Sequence, residues 1–186
     1  MKPTKQIHQP IIDLCKNNCA KSQMQLYNLY CKGMILVANR FVKDRFLAED
    51  VMQDAFIKAF KNIKNYKNEV AFGAWLKRIV INQSIDYLKK NKLELVSINE
   101  EVYKKEDEEN DWNVSSEISI DVIVEKINSL KEKYRLVLTL YLLEGYDHQE
   151  ISKILNITEN TSRTHLLRGK KILKEQLKNM SYAERY

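Results

Sequence analysis

Residues that reverse the chain are scarce here. Four glycines and two prolines among 186 residues leave too few turning points for a sandwich or barrel of many short strands, and they exclude a collagen-like repeat. No apolar run approaches the length that spans a bilayer, and the opening stretch MKPTKQIHQPIIDLCKNN lacks the continuous hydrophobic segment of a secretory signal. The expectation is a cytoplasmic chain without membrane insertion. Cysteine is confined to Cys15, Cys19 and Cys31, an odd number that suits a reducing compartment better than a disulfide framework. Cys15 and Cys19 share a helical face, with His8 upstream, but the spacing matches no established zinc signature, so no metal site is expected. There is also no Gly-rich phosphate loop, no Ser/His/Asp constellation and no set of converging carboxylates. Neither catalysis nor a cofactor is expected.

What is present is helical periodicity and an uneven distribution of charge. The formal net charge of +6 favours a polyanionic partner, nucleic acid or an acidic membrane surface. Residues 1–93 carry a net +10, residues 94–125 a net −9 and residues 126–186 a net +5. Two basic helical segments thus flank an acidic one. The stretch NEEVYKKEDEENDWNVSSE is charge-dense with little periodicity, as a flexible linker should be. A plain solvated linker accounts for it; a sharper alternative is an acidic tether that enters a basic channel on a partner. The length suits one or two small domains.

The last quarter has the most specific pattern. Asp147 is placed to cap a helix that opens after Gly145, with Ile151, Ile154 and Leu155 as its apolar stripe. Asn156 interrupts, and Thr158 can cap a second helix on which Leu166, Gly169 and Leu173 share one face. Arg163, Thr164, Arg168 and Lys171 lie on the others. This reads as a helix-turn-helix, whose second helix offers polar and cationic side chains to the major groove. Many all-α proteins contain two short helices joined by a turn, so a merely solvated basic face stays open on the pattern alone.

Upstream, residues 24–44 place Leu26, Leu29, Tyr30, Ile35, Val37, Ala38 and Phe41 on a broad stripe, with Gly33 positioned to bend the helix or permit close packing. A second helix carries Leu47, Val51, Met52, Ala55, Phe56, Ala59, Phe60 and Ile63 toward a bundle core. Asp50, Gln53 and Asp54 stand on its opposite side, either a solvated face or a docking surface for a basic partner. A short loop leads into a third helix from about Val70 to Lys90, with Phe72, Trp75, Leu76, Ile79 and Val80 as core residues. Aromatic, cationic and amide side chains interleave between Lys64 and Arg78, as single-stranded DNA requires for stacking, phosphate contact and base-edge reading. Trp75 is expected in the core; Tyr66, in the loop, stays open to either role.

Taken together, LYNLYCKGMILVANRFVKDRFLAEDVMQDAFIKAF, FGAWLKRIVINQSIDYLKK and INSLKEKYRLVLTLYLLEGYDHQEISKILNITENTSRTHLLRGKKILK resemble a bacterial RNA polymerase sigma factor of the extracytoplasmic-function type. The resemblance covers about residues 22–92 and 117–178. It implies an all-α chain of two small helical domains: residues 1–92 for polymerase docking and downstream-box binding and melting, an acidic linker over 93–116, and a helix-turn-helix domain over 117–186. It implies core RNA polymerase as partner, through the β′ clamp helices and the β flap, together with promoter DNA. An anti-sigma factor is admitted as a further partner, though nothing in the sequence identifies one.

Position by position, the resemblance implies that Asp50, Gln53 and Asp54 dock on the clamp helices. Asn62, Lys64, Asn65, Tyr66, Lys67 and Asn68 fall in the loop that captures a flipped base of the downstream (minus-10) box. Lys77, Arg78 and Asn82 fall near strand-contacting positions. Glu159, Asn160, Arg163 and Thr164, with Thr158 and Thr161 beside them, match the part of the recognition helix that reads the upstream (minus-35) box; Arg168 and Lys171 would hold phosphates. The helix departs from the family pattern at Ser162, where a branched apolar residue is frequent. It departs again at Gly169, where alanine is usual and glycine costs about 1 kcal/mol. Asn82 and Asp86 share a stripe with Trp75 and are read as a buried structural pair, with DNA contact as the alternative. An autonomous helix-turn-helix regulator is the rival reading for the whole chain.

Overall fold

The computed structural model describes residues 7–91 and 118–183. Among them every regular element is helical, as the scarcity of turn residues and the 3.6-residue periodicity require. The chain divides into two compact units, residues 1–93 and 94–186, and each is taken by itself. The acidic stretch read as a linker lies outside the described residues.

The first unit contains α1 (Gln9–Lys16), α2 (Ala20–Val42), α3 (Arg45–Asn62) and α4 (Phe72–Asn91), with a 3-10 turn at Ile63–Asn65 after α3. α2 stops where Lys43 turns left-handed (φ 60°), and Asp44 at once caps α3 by accepting the Leu47 N–H at 2.9 Å. Such a cap contributes about 1 kcal/mol. α2, α3 and α4 pack around Leu26, Phe41, Val51, Ala55, Phe56, Phe72, Leu76 and Ile81, all buried. The close approach of α2 and α3 rests on small residues, since Ala38, Ala48, Ala55 and Ala59 are all fully enclosed. α1 lies against α2 and the 3-10 turn, burying Ile12 and Cys15.

Three expectations are corrected in this unit. Gly33 does not interrupt α2, which runs from Ala20 to Val42, and it does not serve close packing, because a Cβ there would meet nothing within 4 Å. Asn82 and Asp86 do not form a buried pair: Asp86 is exposed and Asn82 only half-buried. Trp75 and Ile79 on the same helix are likewise half-buried rather than enclosed.

The second unit contains α5 (Ile120–Ser129), α6 (Glu132–Leu138), a widened π-type turn at Thr139–Leu143, α7 (His148–Leu155) and α8 (Glu159–Ala183). Ser119 caps α5. The π turn closes through Glu144 N–H donating to the Thr139 carbonyl at 3.1 Å, and Tyr146 N–H to that of Leu140 at 3.0 Å. Gly145, at φ +77°, then reverses the chain in a conformation that side-chain-bearing residues rarely adopt. α8 packs on α5, α6 and α7, burying Leu166, Leu173 and Leu177.

Candidate functional site

Three exposed surfaces emerge from these elements. The first is on α3. Asp50, Gln53 and Asp54 are all exposed, and Glu49 joins them, accepting a 3.4 Å hydrogen bond from Gln53 Nε2. The apolar side of α3 holds this face outward. Two residues that the sequence reading did not single out extend it: Phe46, 82% exposed, one turn before Asp50, and Ile57, 53% exposed, one turn beyond Gln53. An acidic row flanked by exposed apolar side chains can seat a basic helix with an apolar stripe. The available signal was their spacing, which puts both outside the core stripe.

The second surface is the segment after α3. Asn62, Lys64, Asn65 and Lys67 are exposed, and Asn62 Nδ2 donates to the Lys58 carbonyl at 2.8 Å. Tyr66 is different. It is 3% exposed, its hydroxyl donates to the Val70 carbonyl at 2.6 Å, and its ring packs on Phe72 and Trp75 with centroids 5.4 and 5.2 Å away. Rather than offering a face to a base, it props the loop from inside. Asn68 is left-handed (φ 62°) and half-buried, and its Oδ1 is buried without a hydrogen-bond partner. An orphan acceptor of this kind costs about 1–3 kcal/mol. On α4, Arg78 is exposed and Lys77 half-buried.

The third surface is the helix-turn-helix. Asp147 accepts the Glu150 N–H at 2.8 Å while Glu150 Oε2 accepts the Asp147 N–H at 3.2 Å, a reciprocal capping box. Asn156 (φ 57°) ends α7 in the left-handed conformation, and Thr158 Oγ1 then accepts the Thr161 N–H at 3.0 Å to start α8. The two threonines also share a 2.8 Å hydroxyl bond, so both are engaged in the cap. Glu159, Asn160 and Arg163 are exposed on the opening turns of α8, with Arg163 paired to Glu159 at 3.7 Å. Thr164 Oγ1 donates to the Asn160 carbonyl at 2.9 Å. Further along, Lys171 is exposed and Arg168 half-buried.

The angle between α7 and α8 is fixed by a contact absent from the sequence reading. Ser162 is fully buried and shares a 2.9 Å hydrogen bond with His148 Nδ1, while the His148 ring stacks on Tyr141 at 5.0 Å and 27°. Burial, with Arg163 and Lys170 nearby, lowers the His148 pKa from its ordinary value against the opposing pull of Asp147 and Glu159. This explains Ser162: it answers the half-buried imidazole of His148. Gly169 has an equally local reason. A Cβ there would meet Leu138 Cδ1 at 2.5 Å and Tyr134 Cβ at 3.2 Å, so glycine lets α8 approach α6.

The cysteines are free thiols. Burial first, then the neighbouring Cys19, pushes Cys15 up to about 11, while hydrogen bonds from Ser22 lower Cys19. Among the described residues no group of three or more His, Cys, Asp or Glu could hold a metal ion, and no helix is long and apolar enough to cross a membrane.

Comparison with known proteins bears on both units. The family described as sigma-70 region 2 matches residues 26–94, and that described as sigma-70 region 4 matches residues 120–173. The ECF RNA polymerase sigma factor SigW of Bacillus subtilis is 33% identical over 83% of this chain and 88% of its own length. SigM of the same organism is 29% identical over 81% and 91%. Two solved structures share the fold: the sigma factor RpoE of Bartonella quintana, in complex with the anti-sigma factor NepR, and CnrH, in complex with the cytosolic domain of CnrY. The first has a TM-score of 0.54 at 18% identity, covering 86% of this chain and 98% of that one. The second has a TM-score of 0.52 at 16% identity, covering 91% and 96%.

Proposed function

The chain belongs to the sigma-70 family of RNA polymerase sigma factors, in its extracytoplasmic-function group, and directs core polymerase to promoters; on that premise we propose how its two units divide the work. α3 docks on the polymerase through Asp50, Gln53 and Asp54, with Phe46 and Ile57 as apolar anchors, against the basic clamp helices of the β′ subunit. The β flap takes the second unit. Asn62, Lys64, Asn65, Lys67 and Asn68 receive an unpaired base of the downstream box, and Lys77 and Arg78 hold the strand beside it. Tyr66 contributes from beneath, as the prop that fixes loop shape.

The observation that carries the proposal is the row Glu159, Asn160 and Arg163, exposed on the opening turns of a helix that a capping box, a left-handed Asn156 and a Thr158 cap together aim. A recognition helix reads base edges from its N-terminal turns. Thr158 and Thr161 serve that row by capping it, Thr164 by bonding back to Asn160, and Arg168 and Lys171 by meeting phosphates. No reaction is catalysed by the chain. Opening uses binding energy, since a pocket that prefers an extruded base recovers the few kcal/mol spent on unstacking. A factor that acts on core polymerase and promoter DNA works in the cytoplasm. The likeness to RpoE, caught with an anti-sigma factor, supports an anti-sigma factor as a further partner. An autonomous regulator is not favoured, because the first unit matches sigma-70 region 2.

The test is a base-substitution series across the upstream box, read with holoenzyme carrying the wild-type chain or Arg163→Ala. Loss of about 1–3 kcal/mol of discrimination at one base pair is expected for a bidentate base contact. Uniform weakening at every position would leave Arg163 as a phosphate contact and remove it from the reading row.

A further inference from the structure

We propose that α1 is a positioning element for the strand-capturing loop, holding the 3-10 turn and Tyr66 in the shape that receives an unpaired base. This rests on the capture role proposed above for residues 62–68. α1 precedes the residues that match sigma-70 region 2, so the family match assigns it nothing.

α1 holds the loop along two routes. Directly, it packs on the 3-10 turn, and Lys16 Nζ lies over the Tyr66 ring, 5.9 Å from its centroid. Indirectly, His8 Nδ1 at the start of α1 shares a 3.1 Å hydrogen bond with Tyr30 Oη; Tyr30 meets Phe72 edge-on at 5.3 Å, and Phe72 meets Tyr66 edge-on at 5.4 Å. Both routes end on the residue that props the loop from inside. Gly73 belongs to the same assembly, since a Cβ there would come within 3.1 Å of the Tyr30 ring.

α1 has only 8 residues, too few to persist as a helix in water without a surface to bury its apolar face. Its docking through Ile12 and Cys15 onto α2 and the 3-10 turn is therefore what keeps it helical, and it has two states, docked and released. A ligand that needs the loop in its docked shape must stabilise the docked state, and by reciprocity docking must strengthen that ligand's binding. Cys15 reports the state directly. It is fully buried, and with its thiol pushed up to about 11 it carries little of the reactive thiolate near neutral pH. Alkylation at Cys15 therefore follows release of α1.

The experiment uses holoenzyme assembled from core polymerase and the full chain. Single-stranded DNA is selected from a random-sequence pool by retention on this holoenzyme. N-ethylmaleimide is then added with and without that DNA, and alkylation of the Cys15 and Cys31 peptides is followed by mass spectrometry. Saturating DNA is expected to slow Cys15 alkylation by about fivefold or more, the span of ordinary coupling between sites, with Cys31 unchanged. In Ile12→Ala, which loosens the seat of α1 without a clash, Cys15 alkylation should rise and strand retention fall by a similar factor, with core binding intact. If the strand binds but Cys15 alkylation does not change, the positioning role is overturned and the capture reading stands. If the pool yields no retained strand, both fall together. A rise at Cys15 in Ile12→Ala without loss of retention also overturns the coupling.

Discussion

At the scale of single residues, two departures from the usual family pattern have packing causes. Glycine in a helix interior carries a penalty of about 1 kcal/mol against alanine, so Gly169 looks like a defect until its surroundings are known. Leu138 and Tyr134 occupy the space a Cβ would need, and both are buried in α6. Overpacking a tight core costs about 1–3 kcal/mol, which outweighs the gain in propensity. Gly169→Ala should therefore destabilise the second unit by about 1 kcal/mol, seen as lower urea resistance of α6 and α8 in hydrogen exchange. Equal or greater resistance would mean that Leu138 moves aside freely. Ser162 and Tyr66 make the same point. The burial of Tyr66 does not follow from its loop assignment, and although Ser162 shares the stripe of Leu166, Gly169 and Leu173, what it bonds to does not follow from that stripe, because each partner comes from another element: His148 for Ser162, and Phe72, Trp75 and Lys16 for Tyr66.

At the scale of elements, what was legible was whatever the chain encodes within a few neighbouring residues. The helix-turn-helix is set by Asp147, Asn156 and Thr158, whose capping and left-handed roles are local side-chain chemistry, and the structure shows each of them. The core stripe of α3 was equally readable, since Val51, Met52, Ala55, Phe56, Ala59 and Ile63 keep a helical period and are buried. Less legible was where one helix meets another. Phe46 and Leu29, apolar by type, are exposed, and Asn82 and Asp86 share a stripe without burying a pair.

The contact between α7 and α8 also carries a pH dependence. His148 has a lowered pKa in the folded unit, so below its ordinary value of 6.5 the unfolded chain binds more protons than the folded one. Stability is thus fully present above about 6.5 and declines as pH falls from there through the folded value. Hydrogen-exchange protection of α7 and α8, corrected for intrinsic rates, should drop over that window in the wild type and drop less in His148→Asn. Parallel profiles in the two proteins would place the pH sensitivity elsewhere.

At the scale of the whole molecule, the charge pattern fits a factor that meets DNA at both ends. Basic segments of net +10 and +5 flank an acidic one of net −9, so the phosphate-binding field belongs to the two helical units and not to the stretch between them. Fold class and family were readable at this scale, because an all-helical pattern, a central acidic segment and a terminal helix-turn-helix in that order are each visible in the sequence. The division of roles between the units is most exposed to refutation at its first step, docking on the polymerase through α3. The deciding measurement is a titration of purified chain against core RNA polymerase, comparing the wild type with Gln53→Ala/Asp54→Arg. Both positions are exposed on α3, so the variant should fold unchanged. The account predicts tight binding by the wild type and at least about tenfold weaker binding by the variant, a loss of about 1.4 kcal/mol or more. Equal binding by the two proteins would contradict it and move the docking face away from α3.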